Sequence, residues 1–490
     1  MSLSTENKSI TSSNHSCSSN GDRNISIYHA GEIIGKKYIL IEEIGSGSYS
    51  TVWLSYNFKN KIFYAIKIQS PDEYESGLDE IELLKNLNDN KCKYLNKLKD
   101  NFIHIKTIYD NSVEDQIKSV CMVFDLMVGS IYDIMDNGKY TNGLPILCVK
   151  KIIYQLLYAM DILYNKYNII HADIKPDNIL LVGHSHKINL TIESFKNQDV
   201  EHLYASQFDD FKPSQTLYNS SLDKIDFDKL YLASLRAINN INKNNNTDIK
   251  TNSDSDTNSN SDSDNESDNE SDSDDSDDSD DSNSNSDSNN DSDSDTNNSD
   301  NESENNNYEL FDDKYIDLKN LIIKLSDFGG SLKKEDLHHE IQTRYYRSPE
   351  VILYGEINYK CDMWSVGCVI YELLTGRMLF DPNKTKKMTR DRSHLAEFQK
   401  ILGDIPEYLL NKCEKRKLFL KNNNLLKGLD KISYKSLSTK LIKHMNPNFN
   451  ISDKQLNQTL SLIYKLLNYN HNLRPSPKEC MNDEWFNDIK

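Results

Sequence analysis

The stretch IIHADIKPDNILL at residues 169–181 sets a charged cluster between two apolar runs. Asp173, Lys175 and Asn178 fall within six residues, and Pro176 interrupts regular backbone pairing, so the cluster belongs on a loop. A charged surface turn would not need flanks this apolar. The flanks predict a loop anchored in a core, with its polar side chains held for a purpose.

Upstream, YILIEEI (38–44), STVWLSYNF (50–58) and KIFYAIKI (61–68) read as strands separated by turn residues. SGLDEIELLKNL (76–87) then carries Leu78, Ile81, Leu84 and Leu87 at helical spacing. The long apolar-periodic run at 144–167 predicts a helix leading into the loop. Downstream, CDMWSVGCVIYELLTG (361–376) predicts a buried helix that stops at Gly376. Strands early and helices late predict an α+β chain with a small β-rich lobe and a larger helical lobe.

The charge arithmetic isolates one segment. The 490 residues carry 57 Lys and Arg against 76 Asp and Glu, a formal charge of −19. Residues 251–306 contain 21 acids, no base and no apolar side chain, so the remainder is close to +2. That segment cannot build a core. The expected organisation is a disordered tail at 1–27, a first ordered part at 28–190, an insert at 191–314 and a second ordered part at 315–488. Within the insert, Phe227, Leu230, Leu235 and Ile238 are spaced for one short helix. A protein that coats nucleic acid is excluded by the charge of the remainder. No run reaches the roughly 18 apolar residues of a membrane helix, and the N-terminus lacks the apolar core of a secretory signal. The eight scattered cysteines form no CxxC and have no zinc-finger spacing. The expectation is a soluble intracellular chain, cytoplasmic or nuclear.

The other candidate site residues surround this frame. Ile44, Gly45, Ser46, Gly47, Ser48, Tyr49, Ser50, Thr51 and Val52 join two strands, and such a loop can lay backbone N–H groups over phosphates. Lys67 lies in the next apolar strand, where burial requires a counter-charge; Glu80 in the following helix is the natural one. Asp327 ends a strand in KLSDFG (324–329), with Gly329 permitting a sharp turn. Phosphoryl transfer from a nucleotide requires a glycine loop, a Lys on the phosphates, two groups for Mg²⁺ and an Asp that orients the attacking hydroxyl. The chain presents these parts in order.

On these residues the chain resembles the eukaryotic-type protein kinases, over nearly all of 38–181 and 322–486. The resemblance implies a two-lobed kinase fold, ATP and Mg²⁺ as cofactors, and protein substrates bearing Ser or Thr. It assigns Asp173 as catalytic base and Lys175 to the transferring phosphoryl group. Lys67, paired with Glu80, takes the α/β-phosphates, and Asn178 and Asp327 hold the metal. Ala65 and Leu180 would sandwich the adenine, with Phe124 preceding a hinge at Asp125 and Leu126. It further implies that Glu350 of SPE (348–350) pairs with Arg474 and that Asp362 braces the catalytic loop. Lys175 and Thr343 indicate Ser/Thr acceptors, and Arg347 indicates the CMGC group.

Within that group the chain is similar to SR-protein kinases in DEYESGLDEIELLK (72–85), EIQTRYYRSPEVIL (340–353) and TRDRSHLAEFQKILGDIP (389–406), and in the position of its insert. Two departures stand out. Ala172 replaces the Arg of the common His-Arg-Asp triplet, and the segment 327–350 is only 24 residues long; together they imply activity without activation-loop phosphorylation. The positions aligned with the acidic docking groove of SR-protein kinases are Arg377, Ser393 and Lys400, so an Arg-rich substrate would meet like charge there. The acidic insert could tether basic proteins. The alternative class is a pseudokinase-type scaffold that binds partners through the kinase fold and the insert; intact Lys67, Asp173, Asn178 and Asp327 argue against it. P-loop chemistry is disfavoured because no GxxxxGK[ST] occurs.

Overall fold

A computed structural model describes residues 28–197 and 320–489, apart from 29, 48, 90, 111, 112, 137–139, 422–425, 429–432 and 450. The expected tail at 1–27, the acidic stretch at 251–306, the short helix over 227–238 and Ser48 lie outside the described residues.

The chain opens with a six-stranded antiparallel sheet in the order β1-β2-β3-β4-β6-β5. Its strands are β1 (Ile33–Ile34), β2 (Tyr38–Ser46), β3 (Ser50–Asn57), β4 (Ile62–Gln69), β5 (Asp100–Asp110) and β6 (Val113–Asp125). The start of β2 is a continuous apolar run because both of its faces are covered. Tyr38 and Leu40 pack with Trp53, Ile66 and Val123 on one side. Ile39 and Ile41 pack with Leu54, Leu126 and a helix from beyond residue 181 on the other. The sheet matches the sequence reading in β2, β3 and β4; the long β5–β6 hairpin was not anticipated. Helix α1 (Tyr74–Asn88) buries Ile81, Leu84 and Leu87 of the stripe read from the sequence, leaves its Leu78 partly buried, and also buries Glu80.

The helical lobe begins with β7 (Gly129–Ser130) and α2 (Ile131–Asp136), then α3 (Ile146–Ile162), which is followed by a π-helical turn over Leu163–Tyr167. The expected helix over 144–167 is therefore present but changes its pitch in the last turn, where Asn168 at φ 62° ends it. The charged loop of 171–178 lies between β8 (Ile169–Ile170) and β9 (Ile179–Leu181). Helix α4 (His186–Asn197) runs past Leu190, where the sequence reading ends the first ordered part. Its Ile188, Ile192 and Phe195 complete the covered face of β2 and β3, with Phe195 against Tyr56 at 5.3 Å between ring centroids.

The chain is described again from Asn320, and β10 (Ile323–Leu325) pairs antiparallel with β9, Ile323 opposite Leu181. The strands on either side of the insert are thus direct neighbours, and the described residues on both sides belong to one compact unit. After β11 (Leu332–Lys333) come α5 (Pro349–Ile352) and the central α6 (Cys361–Thr375), all of whose residues are buried. Helices α7 (Arg390–Leu402), α8 (Glu407–Leu410), α9 (Arg416–Phe419), α10 (Leu437–His444), α11 (Asp453–Leu466) and α12 (Pro477–Met481) surround it. No helix of the described residues is long and apolar enough to cross a membrane.

Gly376 ends α6 in the left-handed region, φ 67°, donating its N–H to the Glu372 carbonyl at 2.7 Å. A Cβ at this position would overlap the Thr141 carbonyl oxygen. Gly376→Ala is expected to lower stability by more than the roughly 1–2 kcal/mol of a left-handed alanine alone, measured by urea denaturation. A smaller loss would mean that the 141–142 turn yields freely.

Candidate active site

The charged loop of 171–178 is held from below by one buried carboxylate. Asp362, fully buried in α6, accepts hydrogen bonds from His171 N (2.9 Å), Ala172 N (3.1 Å) and Tyr164 Oη (2.9 Å). Burial nevertheless holds its carboxyl above the usual range, with the nearby His171 and these donors opposing. The grip keeps Ala172 at φ 64°, a region alanine rarely enters. His171 is itself fixed: Asp173 N donates to its Nδ1 at 3.3 Å, which assigns the proton to Nε2 and makes it a donor to Ser326 O at 3.1 Å.

These constraints aim Asp173. Its Oδ1 receives Thr343 Oγ1 at 2.6 Å and Thr343 N at 3.1 Å; its Oδ2 receives Asn178 Nδ2 at 3.0 Å and pairs with Lys175 Nζ at 2.9 Å. Burial alone would raise this carboxyl, but Lys175 and the Thr343 hydrogen bond outweigh it and hold it below its ordinary value. Lys175 also donates to Thr343 Oγ1 at 3.0 Å, so Asp173, Lys175 and Thr343 form one closed cluster.

The second cluster sits across the gap. Lys67 Nζ lies 2.8 Å from Glu80 Oε2 and 2.7 Å from Asp327 Oδ1. Burial would lower the Lys67 ammonium; the two carboxylates reverse that and hold it above its ordinary value. Glu80, 2% exposed, also accepts Phe328 N at 3.3 Å, which ties α1 to the start of the 327–350 segment. Phe328 is buried and packs its ring on His171 at 5.3 Å. Asn178 spends its amide N–H groups on Asp173, which leaves its carbonyl oxygen, and the half-exposed Asp327 carboxylate, as hard oxygen donors of the kind Mg²⁺ prefers.

The remaining predicted residues fall around these clusters. Gly45 and Ser46 still pair with Val52 and Thr51, so the turn proper is short; Gly47 N donates to Ser50 O at 2.9 Å and Tyr49 is exposed. Ala65 pairs with Phe124 across β4 and β6. Ile44 and Ala65 pack in the same apolar group as Leu126, while Leu180 is half-buried opposite Ser130 and Lys324. The Asp125 carboxylate is taken up by Lys99 at 2.9 Å. Glu350 and Arg474 form a fully buried bidentate pair at 2.6 and 2.7 Å, Arg474 holding the Glu350 carboxyl low against the effect of burial.

The sequence reading missed Gln342 and Glu372. Gln342, at φ 68°, donates to Cys361 O and Ser365 Oγ, accepts Ser348 N, and offers its own carbonyl to the Arg347 guanidinium. One buried amide thereby pins the end of the 327–350 segment onto α6. Glu372 accepts Tyr346 Oη at 2.7 Å inside the core. Neither has a sequence signal, since a lone Gln before a Thr and a Glu in a helix are ordinary.

Comparison with known proteins places this arrangement. The family described as Protein kinase domain matches residues 38–195 and 310–486. A candidate serine/threonine-protein kinase of Acanthamoeba polyphaga mimivirus is 30% identical over 94% of this chain and 89% of its own length. Protein kinase dsk1 of Schizosaccharomyces pombe is 26% identical over 94% and 83%, and SRSF protein kinase 3 of Homo sapiens 26% over 93% and 87%.

Burial pushes the Glu372 carboxyl up to about 7, with the Tyr346 hydrogen bond opposing and Asp177 adding to the rise. A carboxyl whose folded value exceeds its unfolded one loses stability for the fold as pH rises from the ordinary value, 4.5, to the folded one. The full effect is up to about 3 kcal/mol. Glu372→Gln is therefore expected to gain stability over the parent at pH 8 and little at pH 5, read by urea denaturation at both. A difference that does not change with pH would remove this assignment.

Proposed function

Because the chain belongs to the protein kinase family, as a serine/threonine protein kinase of the SR-protein-kinase type, we propose that Asp173, Lys175, Lys67, Asn178 and Asp327 are its working residues. The observation that supports this most is the closed Asp173–Thr343–Lys175 cluster. A Ser or Thr hydroxyl of the substrate hydrogen-bonds Asp173 and attacks the ATP γ-phosphorus. The bond to the β-phosphate oxygen breaks, ADP departs and the hydroxyl proton passes to Asp173. Asp173 is kept ionised by Lys175 and Thr343, so it is ready to orient and then accept that proton. Lys175 neutralises charge on the transferring group. Lys67, fixed by Glu80, holds the α/β-phosphates, and Asn178 with Asp327 holds Mg²⁺, which screens phosphate charge when bound. Gly45, Gly47 and the 44–52 backbone lie over the phosphates; Ala65 and Leu180 flank the adenine, with Phe124, Asp125 and Leu126 at the hinge.

Two finer readings follow. The first is activity without activation-loop phosphorylation. Ala172 offers no guanidinium to clamp a phosphate, and Gln342 supplies the brace by neutral hydrogen bonds instead. The second concerns substrates. Arg377 and Lys400 make the position of the docking groove non-acidic, which disfavours Arg-rich chains there and favours neutral or acidic ones. A pseudokinase-type scaffold is the alternative; the intact Lys67–Glu80–Asp327 contacts oppose it.

A positional-scanning peptide library with Mg-ATP tests the reading. Wild type should phosphorylate Ser or Thr peptides, and Asp173→Asn should be slower by at least about 10³-fold while still binding ATP. Silence from wild type with ATP binding intact would select the scaffold. Strong selection for Arg beside Ser would overturn the substrate reading alone. Phosphatase treatment should leave the rate unchanged; its loss would refute phosphorylation-independent activity.

A further inference from the structure

Outside the acidic stretch, charge is distributed unevenly along the sequence. Residues 377–443 hold 17 Lys and Arg against 7 Asp and Glu, a net +10, whereas everything else outside 251–306 sums to about −8. The structure gathers part of this excess onto one face. Lys435 N donates to Lys400 O at 2.6 Å, bringing the approach to α10 alongside α7. The Lys440 ammonium reaches the Leu379 carbonyl, and His444 Nδ1 shares a hydrogen bond with Tyr371 Oη at 2.7 Å. Arg377, Lys435 and Lys443 are exposed and Lys400 is half-buried. Among the described residues, no carboxylate stands within ion-pair distance of Arg377, Lys400, Lys435 or Lys443.

Two groups inside the patch register the excess. Lys440 is held below its ordinary value, first by burial and then by Lys435 and Lys400, with Glu397 and Asp381 opposing. His444 is lowered first by burial and then by Arg377, Lys440 and Lys443. Their protonation is resisted by positive neighbours, so the patch would gain from an anion.

The surface is not purely cationic, and this chooses the partner. Tyr434, next to Lys435, and Ile442, next to Lys443, are more than half exposed. Asp404 accepts the Tyr434 hydroxyl at 2.9 Å, and Glu397 accepts Asp381 N. A nucleic-acid backbone carries charge at every step and would meet these carboxylates. A peptide can space its acids between the lysines and bury an apolar side chain on Ile442.

We propose that the face formed by Arg377, Lys400, Lys435, Lys440 and Lys443, with Ile442 at its edge beside Lys443, is a docking surface for acidic protein segments that also carry aliphatic or aromatic residues. It extends the substrate reading above by giving the non-acidic face an occupant, and it lies outside the Asp173 cluster.

The test uses the full chain and a fluorescein-labelled 15-residue peptide of Asp and Glu interrupted by Leu and Phe. Fluorescence anisotropy should show saturable binding that weakens at least about tenfold between 50 and 300 mM NaCl. The Lys435→Glu, Lys443→Glu double variant should lose at least about tenfold in affinity at unchanged melting temperature, since both side chains are exposed. Ile442→Asp should weaken binding even at high salt, where the charges are screened. No binding, or binding indifferent to all three substitutions, would overturn the proposal. So would tighter binding of an Arg-Ser peptide of equal length, or of a 20-nucleotide single-stranded DNA. The measurement needs no nucleotide, so its failure leaves the phosphotransfer reading untouched.

Discussion

Asp362 has no access to water, and a carboxylate in that position must be given hydrogen-bond donors by the protein. The donors it receives are backbone N–H groups of His171 and Ala172 and the phenol of Tyr164. Most other choices in the site descend from this demand. It turns Ala172 into a left-handed residue, which swings the next side chain, Asp173, toward Thr343. It also fixes the backbone at His171, whose ring then links the loop to Ser326, the residue before Asp327. A buried acid in the first turn of an apolar helix is thus the reference point from which both halves of the site are positioned.

The two halves differ in how they hold charge. Around Asp173, one acid is balanced by one ammonium and by neutral donors, so the cluster is neutral overall while the carboxylate stays ionised. Around Lys67, one ammonium faces two acids, so the network is anionic as it stands. A local dielectric well below that of water strengthens both arrangements and makes an unpaired member costly. The 327–350 segment is fixed differently, by the neutral amide of Gln342 and by the buried Glu350–Arg474 pair.

Much of this was legible in the sequence, for identifiable reasons. A Lys in an apolar strand demands a counter-charge, and the helix after it offered Glu80 at a buried register; the two meet. The helix over 361–376 could be read because nearly every residue in it is apolar and Gly376 ends it. The β5–β6 hairpin stayed hidden because Asn101 to Lys106 mixes polar and apolar residues on a partly exposed edge strand. Helix α4 was obscured because its apolar stripe is paid out over a face of the sheet more than a hundred residues earlier. Gln342 could not be found because its role comes from partners on α6 and from its own positive φ, neither of which a side-chain pattern records.

Helix α4 ends at Asn197 and the chain is described again from Asn320, ahead of β10, and both points belong to one compact unit. With both ends fixed in that unit, the closure entropy of a stretch joining them grows only with the logarithm of its length, about 0.6 kcal/mol for each doubling. Residues can be gained or lost there almost without penalty to the rest of the molecule. This junction can therefore drift in length and composition over evolutionary time while the catalytic core remains unaltered, and it is also the natural place to splice in a foreign domain or reporter.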